Sequence, residues 1–543
     1  MPKPIAKNTL FYGDNLPILR EYLLDESVDL VYLDPPFNSQ RVYNVSLKDQ
    51  HGKESEAQIE AFKDFWTWDE EAAEAHEDLM SVAPASVIQL MTTLKGVVGE
   101  TSSMRAYLTM MIARLLELRR VLKPTGSLYL HCDPTASHYL KIVLDTIFGV
   151  DNYQNEIIWK RTTAHNDPRR WGNVHDSIFF YSKSPKFTWN LIYLEHDEEY
   201  KKRFRHSDPN GRLWTDGNLT AKGLSGGGYE YEYKGAKSLW RVPLETMKRL
   251  DAEGRLHFTK TGGIRSKDYL DESPGKPVQD VISDISPINS QAQERLGYPT
   301  QKPLTLLERI IQASSNEGDV VLDPFCGCGT AVVAAQKLNR KWIGIDITHL
   351  SIALMKYRLQ GSFNIQAGRD YEVIGEPQDL DSAKQLARDD RYQFQFWALS
   401  LIEAKPLGGE QGSRKGKKGA DKGVDGLLPF LDSKDTTKIA VVQVKSGHVQ
   451  DSHIRDLIGV LQNEDSPMGL FITLEEPTRN MIQTAAAAGI YESKSWGKFP
   501  RIQILTIEDL LSGKKPQTPP IYGAFKQAGR IPKKDAKQID WGL

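Results

Sequence analysis

The stretch that most constrains the fold is an apolar strand that runs into two prolines. Residues 28–33 read Val-Asp-Leu-Val-Tyr-Leu, a β-prone run typical of a strand buried on both faces. Asp34, Pro35, Pro36 and Phe37 follow immediately. Proline cannot continue a central strand, and the residue before each proline is held extended. The sequence therefore predicts a rigid carboxylate and an aromatic face at the carboxyl end of a strand, the edge at which open α/β sheets bind ligands.

These four residues suit the handling of a flat amino group. Asp34 can accept one hydrogen bond from an exocyclic amine, and the Pro35 carbonyl can accept another. Phe37 can stack on the ring that carries the amine. Together they would turn the lone pair of the amine toward an electrophile. A plain strand followed by a turn is the alternative that Asp-Pro-Pro alone would leave open.

Strands and helices alternate along the first part of the chain. Strands are expected at 10–12, 127–133, 157–159 and 177–181, and helices at 16–24, 107–122 and 139–148. Residues 49–105 are expected to be mixed and largely helical. The alternation is typical of a doubly wound α/β fold. His131 and Asp133 end one of these strands, where a lone His-x-Asp is more often structural than catalytic.

Residues 161–290 break this pattern. Glycine, tryptophan and basic residues interleave there, as in Arg169-Arg170-Trp171 and Lys201-Lys202-Arg203-Phe204. Loops of this composition suit contacts with phosphates and base edges, although an irregular insertion with a solvated surface is the alternative. The chain has 69 Lys and Arg against 71 Asp and Glu, so a nucleic-acid surface must come from such local asymmetry.

A second strand-and-turn unit follows this region. An apolar strand leads into Asp323-Pro324-Phe325-Cys326-Gly327-Cys328-Gly329-Thr330 and then into a helix. Gly327 and Gly329 let the backbone approach a ligand closely, and the helix N-terminus favours a carboxylate. Asp346 ends the next strand and can accept a ribose diol. Because the signatures of a dinucleotide site and of a phosphate loop are missing, S-adenosylmethionine fits better.

The two units together resemble the permuted β-class of amino-methylating DNA methyltransferases over about residues 8–375. In that family the catalytic tetrapeptide, here residues 34–37, precedes the cofactor loop, and target recognition lies between them. The resemblance implies cofactor contacts from Asp14, Lys302, Asp323, Pro324, Phe325, Gly327, Gly329, Thr330 and Asp346. It implies that Asp14 reaches the adenine of the cofactor and that Lys302 lies near its methionine end. Members whose tetrapeptide begins with Asp mostly methylate adenine, whereas those with Ser more often methylate cytosine.

The C-terminal part carries a second pattern. Asp425 accompanies a short strand, and about twenty residues later Gln443 and Lys445 share one face of another strand. An Asp, a second oxygen ligand and a Lys can hold Mg²⁺ and activate water against a phosphodiester. Roughly residues 393–512 resemble the restriction-endonuclease-like fold and most closely the Mrr-type nucleases, with Glu403 as a candidate third metal ligand. A degenerate module that only binds DNA is the alternative.

The sequence thus predicts a Rossmann-like α/β methyltransferase with an inserted recognition region, followed by a smaller α/β restriction-endonuclease-like domain. The expected segments are a catalytic half (1–160), the recognition insertion (161–290), a cofactor-binding half (291–377), a linker (378–392), the Mrr-like domain (393–515) and a tail (516–543).

The expected activity is site-specific methylation of double-stranded DNA, at adenine before cytosine, in restriction–modification or phage defence. An orphan methyltransferase with a DNA-binding C-terminal domain and a nucleic-acid sensor in which the cofactor regulates cleavage are alternatives. Apolar runs are too short to span a membrane and three cysteines form no disulfide framework, so a cytoplasmic protein is expected. No helicase motif is present, so long-range translocation along DNA would need a partner such as a helicase or restriction subunit. A homodimer is a separate open alternative.

Overall fold

The computed structural model describes residues 5–37, 41–48, 54–64, 66–163, 169, 171–196, 198–221, 228–289, 292, 294–296, 298, 300–406, 424–433, 436–463 and 466–521. The chain divides into two compact units, one formed by residues 1–190 and 280–543 and the other by residues 191–279. No helix in these described ranges has the length and apolarity that crossing a membrane requires.

The first part of the larger unit alternates strands and helices. In chain order these are β1 (Thr9–Tyr12), α1 (Asn15–Tyr22), β2 (Val28–Leu33), β3 (Arg41–Lys48), β4 (Glu54–Asp64), α2 (Glu70–Val82), α3 (Ala85–Val98), α4 (Ser103–Val121), β5 (Leu122–Cys132), α5 (Ser137–Phe148), β6 (Tyr153–Lys160) and β7 (His175–Ser182).

The smaller unit is mostly β-structure. It contains β8 (Tyr193–Leu194), α6 (Glu198–Lys201), β9 (His206–Ser207), β10 (Leu213–Asn218), β11 (Tyr229–Tyr233), β12 (Ala236–Trp240), α7 (Leu244–Ala252), β13 (Leu256–Phe258), β14 (Ile264–Tyr269) and β15 (Lys276–Pro277). A four-stranded sheet has the order β13-β14-β10-β9. Trp240, Met247 and Ile264 belong to one buried apolar cluster, so this unit has a core of its own.

The larger unit then resumes. Its next elements are β16 (Val281–Ile282), α8 (Leu304–Ser314), β17 (Val320–Asp323), α9 (Thr330–Lys337), β18 (Lys341–Asp346), α10 (His349–Phe363) and β19 (Glu372–Ile374). Strands from both parts form a nine-stranded sheet in the order β16-β6-β7-β5-β2-β17-β18-β1-β19. β7 is antiparallel to its neighbours, and the other pairs are parallel.

Helices cover both faces of this sheet. Side chains from α1–α5 form one apolar cluster with Val31 and Leu33, and side chains from α8–α10 form another with Leu30 and Tyr32. Successive residues of a strand point to opposite faces, so β2 is buried from both sides, which explains its nearly uninterrupted apolar sequence. The predicted doubly wound α/β architecture is confirmed.

The sheet brings two distant strands side by side. β2 pairs in parallel with β17, with Leu30 opposite Val321 and Val31 opposite Leu322. Parallel strands end at the same edge of a sheet, so the segment that follows Leu33 and the segment that follows Asp323 emerge together. The two predicted motifs therefore meet, although the whole recognition region separates them in sequence.

Residues 49–105 were expected to be mixed and largely helical. The non-helical part includes Glu54–Asp64, a strand that was not predicted and that pairs antiparallel with Arg41–Lys48. The segment has an apolar residue at every second position from Ala57 to Ala61, a period that favours a strand. The helical expectation does hold for α2 and α3.

The C-terminal part of the larger unit contains a second α/β sheet. Its elements are α11 (Leu380–Asp389), α12 (Arg391–Leu401), β20 (Lys405–Pro406), β21 (Gly426–Ser433), β22 (Thr436–Lys445), α13 (Asp451–Asn463), β23 (Met468–Thr473), α14 (Arg479–Ala487), β24 (Ile490–Ser493), β25 (Gly497–Pro500), β26 (Ile502–Thr506) and α15 (Ile507–Leu511). The sheet order is β20-β21-β22-β23-β26, with apolar clusters against both faces. Residues 378–392, predicted to link the domains, include α11, whose Ala383 is buried in one of these clusters. The predicted domain boundaries stay predictions.

Candidate active site

Asp34 and Lys302 form a buried ion pair at the carboxyl end of β2. The Lys302 ammonium donates to Asp34 Oδ2 over 2.5 Å, and the two side chains are 8% and 18% exposed, in the order Lys302 and Asp34. Asp34 Oδ1 is buried and has no hydrogen-bond partner among the described residues. The Lys302 Nζ also lies 5.2 Å from the centroid of the Phe37 ring. One carboxylate oxygen is therefore held in place while the other is available to a donor.

The glycine-rich turn after β17 is shaped by left-handed backbone. Gly327 has φ of 49° and Gly329 has φ of 77°, a region that favours glycine. A Cβ on Gly329 would collide with the Met355 side chain of α10, so this position also needs glycine for space. The backbone N–H of Phe325 donates to Asp323 Oδ1 over 3.1 Å. A local hydrogen bond, two left-handed glycines and the nearby Met355 side chain thus define the turn before α9 begins.

Asp346, at the end of β18, joins this turn to the next helix. Its Oδ2 accepts from the Gly327 N–H at 2.8 Å, and its Oδ1 accepts from the Thr348 N–H and hydroxyl at 3.0 and 2.9 Å. These donors fix the orientation of the Asp346 carboxylate, which borders the cavity described below.

The Gly13-Asp14 turn after β1 is tied to the same region through two residues that sequence reasoning missed. Asp14 caps α1 by accepting from the Leu16 N–H, and it pairs with Arg114 at 2.8 Å. Arg114 Nε donates to Asn15 Oδ1 at 2.5 Å, and buried Asn15 donates to the Pro324 carbonyl at 2.8 Å. For Asn15, the one sequence signal was its position directly after the Gly-Asp turn. Arg114 had no such signal, because it lies in the middle of an ordinary amphipathic helix.

The Asp34–Lys302 pair, the Asp346 carboxylate and the Gly13-Asp14 turn border one cavity of about 720 Å³. Its carboxylates are Asp14, Asp34, Asp69, Glu71, Asp323 and Asp346, and its cations are Lys302 and Arg114. Burial raises the pKa of Asp323 well above its usual range, and the charges of Asp34 and Asp346 add to the rise. Burial also raises the pKa of Asp346. A cation entering the cavity would favour the ionised carboxylates, so the site suits a positively charged ligand.

The structure brings most of the predicted site residues to this cavity. Its walls include Asp14, Asp34, Pro35, Pro36, Phe37, Lys302, Asp323, Pro324, Phe325, Gly327, Thr330 and Asp346. Gly329 does not border the cavity and instead turns the chain against Met355. Lys302, expected near the cofactor, has its ammonium on Asp34. Trp66 lines the cavity as well, although its sequence neighbourhood is explained mainly by core packing.

The C-terminal sheet presents a second candidate site. Asp425 precedes β21, its Oδ2 accepts from the Val444 N–H at 2.7 Å, and its own N–H donates to the Val442 carbonyl at 2.9 Å. Gln443 is 5% exposed, and its Oε1 is buried without a hydrogen-bond partner among the described residues. Lys445 ends β22 two residues later. Asp425 and Gln443 are thus brought close by the β21–β22 pairing.

Glu403 follows α12 in a left-handed turn with φ of 58°. Burial raises the pKa of the Tyr357 phenol well above its usual range, and the Glu403 carboxylate adds to this rise, which locates Glu403 near α10. Among the residues that the structure describes, no group of three His, Cys, Asp or Glu side chains could hold a metal ion. A cation at Asp425 would therefore depend on the Gln443 oxygen.

The fold and the cavity define a doubly wound α/β protein whose ligand site lies between two adjacent strand ends. The chain belongs to the DNA methylase family of N6- and N4-methyltransferases, which matches residues 28–356. The Mrr-type restriction endonuclease family matches residues 388–508. Both predicted resemblances are confirmed, and the protein is a DNA amino-methyltransferase of restriction–modification type with a C-terminal restriction-endonuclease-like domain.

Curated relatives match only part of the chain. Type II methyltransferase M.EcaI from Enterobacter cloacae is 29% identical over 349 residues, which cover 63% of this chain and 67% of that protein. The Type III restriction-modification enzyme StyLTI Mod subunit from Salmonella typhimurium is 28% identical over 355 residues, 62% of this chain and 51% of that protein. The chain therefore spans about half the length of the second relative.

Two solved structures also resemble this chain. A DNA modification methylase from Thermus thermophilus, in complex with S-adenosyl-L-methionine, aligns with a TM-score of 0.33 and 18% identity, covering 68% of this chain and 100% of that one. The cytosine-N4-specific PvuII DNA methyltransferase aligns with a TM-score of 0.34 and 15% identity, covering 67% and 91%.

Proposed function

We propose that this chain transfers a methyl group from S-adenosylmethionine to the exocyclic amine of a flipped adenine in double-stranded DNA. The observation that carries the proposal is the state of Asp34: its Oδ2 accepts from Lys302, and its Oδ1 is buried without a hydrogen-bond partner in the part of the chain that the structure describes. A buried acceptor without a donor costs about 1–3 kcal/mol. Such a cost is understandable where an amine hydrogen completes the site during the reaction.

The cavity suits the chemistry of this cofactor. When bound, S-adenosylmethionine supplies an electrophilic methyl group on a positively charged sulfur. The excess of carboxylates over cations favours that charge. The Asp346 carboxylate borders the cavity as a candidate acceptor for the ribose hydroxyls, and the backbone of Gly327 allows close approach. The N-terminus of α9, which begins at Thr330, favours a carboxylate.

Each remaining group has a defined task in the proposed reaction. Flipping the base costs a few kcal/mol, and stacking on Phe37 returns about 1–3 kcal/mol. Asp34 Oδ1 and the Pro35 carbonyl accept the two amine hydrogens and turn the nitrogen lone pair toward the methyl carbon. The nitrogen–carbon bond forms as the carbon–sulfur bond breaks, with its electron pair left on sulfur. The nitrogen becomes positive and releases one proton through Asp34 to solvent.

Replacement of Asp34 tests this assignment directly. Asp34→Ala removes the acceptor but leaves the Asp346 turn intact, so cofactor affinity should change by less than about threefold. Methyl transfer should fall by at least ~10³-fold, because the amine loses both orientation and its proton acceptor. Asp151→Ala, at an exposed carboxylate away from the cavity, is the matched control. Full methylation by Asp34→Ala would end the proposal.

Adenine is proposed over cytosine because the tetrapeptide begins with Asp, although the matched family spans both N6- and N4-methyltransferases. Single-molecule sequencing of DNA from cells that express the protein reports the modified base and its sequence context together. N6-methyladenine in one recurring motif is the expected result. N4-methylcytosine would establish the cytosine alternative instead.

A second activity, Mg²⁺-dependent cleavage of DNA, is proposed for the C-terminal domain. It is supported by Gln443, which lies beside Asp425 and whose Oε1 is buried and has no hydrogen-bond partner within the described ranges, since oxygen ligands are those that Mg²⁺ prefers. Lys445 would stabilise the charge on the attacked phosphate. Lys445→Ala should abolish nicking of a supercoiled plasmid in Mg²⁺ and leave methylation unchanged, whereas Lys498→Ala, an exposed lysine of the same domain, should nick normally.

Other outcomes of that assay identify the alternatives. Methylation without nicking at any Mg²⁺ concentration would favour an orphan methyltransferase whose C-terminal domain binds DNA. Nicking that requires the cofactor, without methyl transfer, would favour a nucleic-acid sensor. Because one relative is a Mod subunit of a Type III enzyme, a separate restriction or helicase subunit is a proposed partner. Light scattering of the purified chain would test the proposed homodimer.

A further inference from the structure

His131, expected to be structural, lies fully buried beneath the proposed base-binding residues. Its Nδ1 is 3.0 Å from the Tyr32 hydroxyl, and its Nε2 is 3.1 Å from Asp176 Oδ2. The imidazole plane is inclined by 24° to the Phe37 ring, with 6.0 Å between centroids, and the Trp159 ring meets it edge-on at 5.8 Å. Residues from β2, β6 and β7 and from the loop after β2 therefore surround this one imidazole.

Asp176 and Arg161 connect this imidazole to the protein surface. Asp176 is 3% exposed, and Arg161 Nε lies 3.0 Å from its Oδ1, with 44% of the arginine side chain exposed. Burial raises the pKa of Asp176, but the hydrogen bond and charge of His131 and the charges of Lys302 and Arg161 lower it further, so the net pKa lies below its usual value. An ionised Asp176 places a proton on His131 Nε2. His131 Nδ1 faces the Tyr32 hydroxyl, so both ring nitrogens have a hydrogen-bonding partner and the orientation of the ring is fixed.

Two of the residues that contact His131, Tyr32 and Phe37, border the active-site cavity. Phe37 and Tyr32 line it, and Tyr32 precedes Asp34 by two residues, on the same face of the chain. Phe37 follows two prolines and lies beyond the last residue of β2, so strand pairing does not hold its ring. Among the residues that the structure describes, the Phe37 ring faces the His131 imidazole, and the Lys302 ammonium lies over it.

From these contacts we infer that His131 is a positioning residue for the target base: held by Asp176 and Arg161, it sets the plane of Phe37 and therefore the plane of the base stacked on Phe37. This inference rests on the proposed function and adds to it a residue that touches neither substrate nor cofactor. A change in the tilt of the Phe37 ring would tilt the stacked base and move its amine away from Asp34 and from the methyl carbon. Displacements of about 1 Å in such a geometry cost roughly 100-fold in rate.

The test compares His131→Asn with His138→Asn, the same change at an exposed histidine of α5. The DNA substrate carries the motif that wild-type protein methylates, and a parallel duplex carries 2-aminopurine at the target base. His131→Asn should lower kcat by about 10–100-fold, with KM for DNA and Kd for S-adenosylmethionine within about threefold of wild type. Bound 2-aminopurine should be brighter than with wild type, because stacking quenches its fluorescence. His138→Asn should match wild type in every measurement.

A double-mutant cycle with Phe37→Ala separates positioning from general support of the fold. If His131 acts through Phe37, the two losses in kcat are not additive, and His131→Asn/Phe37→Ala is no slower than Phe37→Ala alone within about threefold. Additive losses would overturn the inference. So would a fall in cofactor affinity or melting temperature that accounts for the lost activity.

Arg161→Gln keeps the inference testable if His131→Asn does not fold, because Arg161 is half exposed. It should lower kcat by about threefold in the same non-additive manner with Phe37→Ala, and unchanged kcat in that variant would contradict the inference. The proposed function can fail separately. A wild-type protein that methylates no DNA refutes the function, whereas active wild type with an equally active His131→Asn refutes the positioning role alone.

Discussion

The Lys302–Asp34 pair offers a quantitative test of how the active site is built. Lys302→Met keeps the length of the side chain and removes its charge, so the Asp34 carboxylate remains in a largely buried position without its cation. Asp34→Asn produces the opposite defect. The double variant carries neither charge. The structure therefore predicts two destabilising single changes that compensate each other when combined.

The magnitude follows from the 2.5 Å distance between Lys302 Nζ and Asp34 Oδ2. At an effective dielectric constant of about 20, Coulomb's law gives roughly 7 kcal/mol of attraction. Desolvation of the two ions cancels several kcal/mol, and loss of one partner of a buried pair typically costs about 3–5 kcal/mol. Because Asp34 is 18% exposed, about 3 kcal/mol is expected for each single variant and about 1 kcal/mol for the double variant.

Thermal unfolding at pH 7 without cofactor measures this coupling. A loss of about 3 kcal/mol should lower the melting temperature by roughly 5–10 °C, and the double variant should recover most of it. Lys337→Met is the matched control, because Lys337 pairs with Glu308 at 2.7 Å but is 54% exposed, and such pairs contribute about 0–1 kcal/mol. The reasoning is refuted if Lys302→Met costs no more than Lys337→Met, or if the two single losses simply add.

Three further predictions concern the cofactor side of the cavity. Gly329→Ala should weaken S-adenosylmethionine binding in calorimetry because its Cβ would collide with Met355, whereas Gly318→Ala, with a similar φ of 83° and open space around it, should bind normally; equal behaviour of the two variants would contradict the steric account. Asp346→Ala should weaken cofactor binding by about 10-fold or more through loss of a charged acceptor and of the turn it holds; wild-type affinity would remove Asp346 from the site. For Asp323, the raised pKa of the folded state means that the folded protein binds the proton more tightly, so its contribution to stability is present below the unfolded pKa near about 4 and is lost as pH rises toward the folded value. Asp323→Asn should therefore gain melting temperature relative to wild type as pH rises from about 4 to about 8, and a difference independent of pH would contradict this sign.

Much of the candidate site could be predicted because its signals are local. An apolar run followed by Asp34-Pro35-Pro36 indicates the end of a strand. A glycine-rich turn between a second strand and a helix indicates a ligand-binding loop. Period two alone places Gln443 and Lys445 on one face of β22. The strand at Glu54–Asp64 has a local period of two, but it was not predicted because its partner, Arg41–Lys48, was not identified as a strand.

The partners of these groups could not be predicted in the same way. Lys302 was expected near the methionine end of the cofactor and lines the cavity, but its ion pair with Asp34, 268 positions away in the chain, was not predicted. Arg114 carries no distinguishing sequence pattern, and Asn15 is marked only by its place after the Gly-Asp turn. The two residues connect that turn to Pro324 because α1, α4 and the loop after β17 pack together. His131 looked like an ordinary strand residue until β2 and β7 were found on either side of β5.

Short segments of sequence determine turns, strand ends and helix starts, because the steric limits of proline and glycine and the spacing of apolar side chains act within a few residues. The choice of β17 as the neighbour of β2, and with it the meeting of Asp34, Lys302 and Asp346 around one cavity, depends on how the whole core is buried. Burial of the core depends on contacts from the entire chain, so no short segment of sequence determines which strands become neighbours.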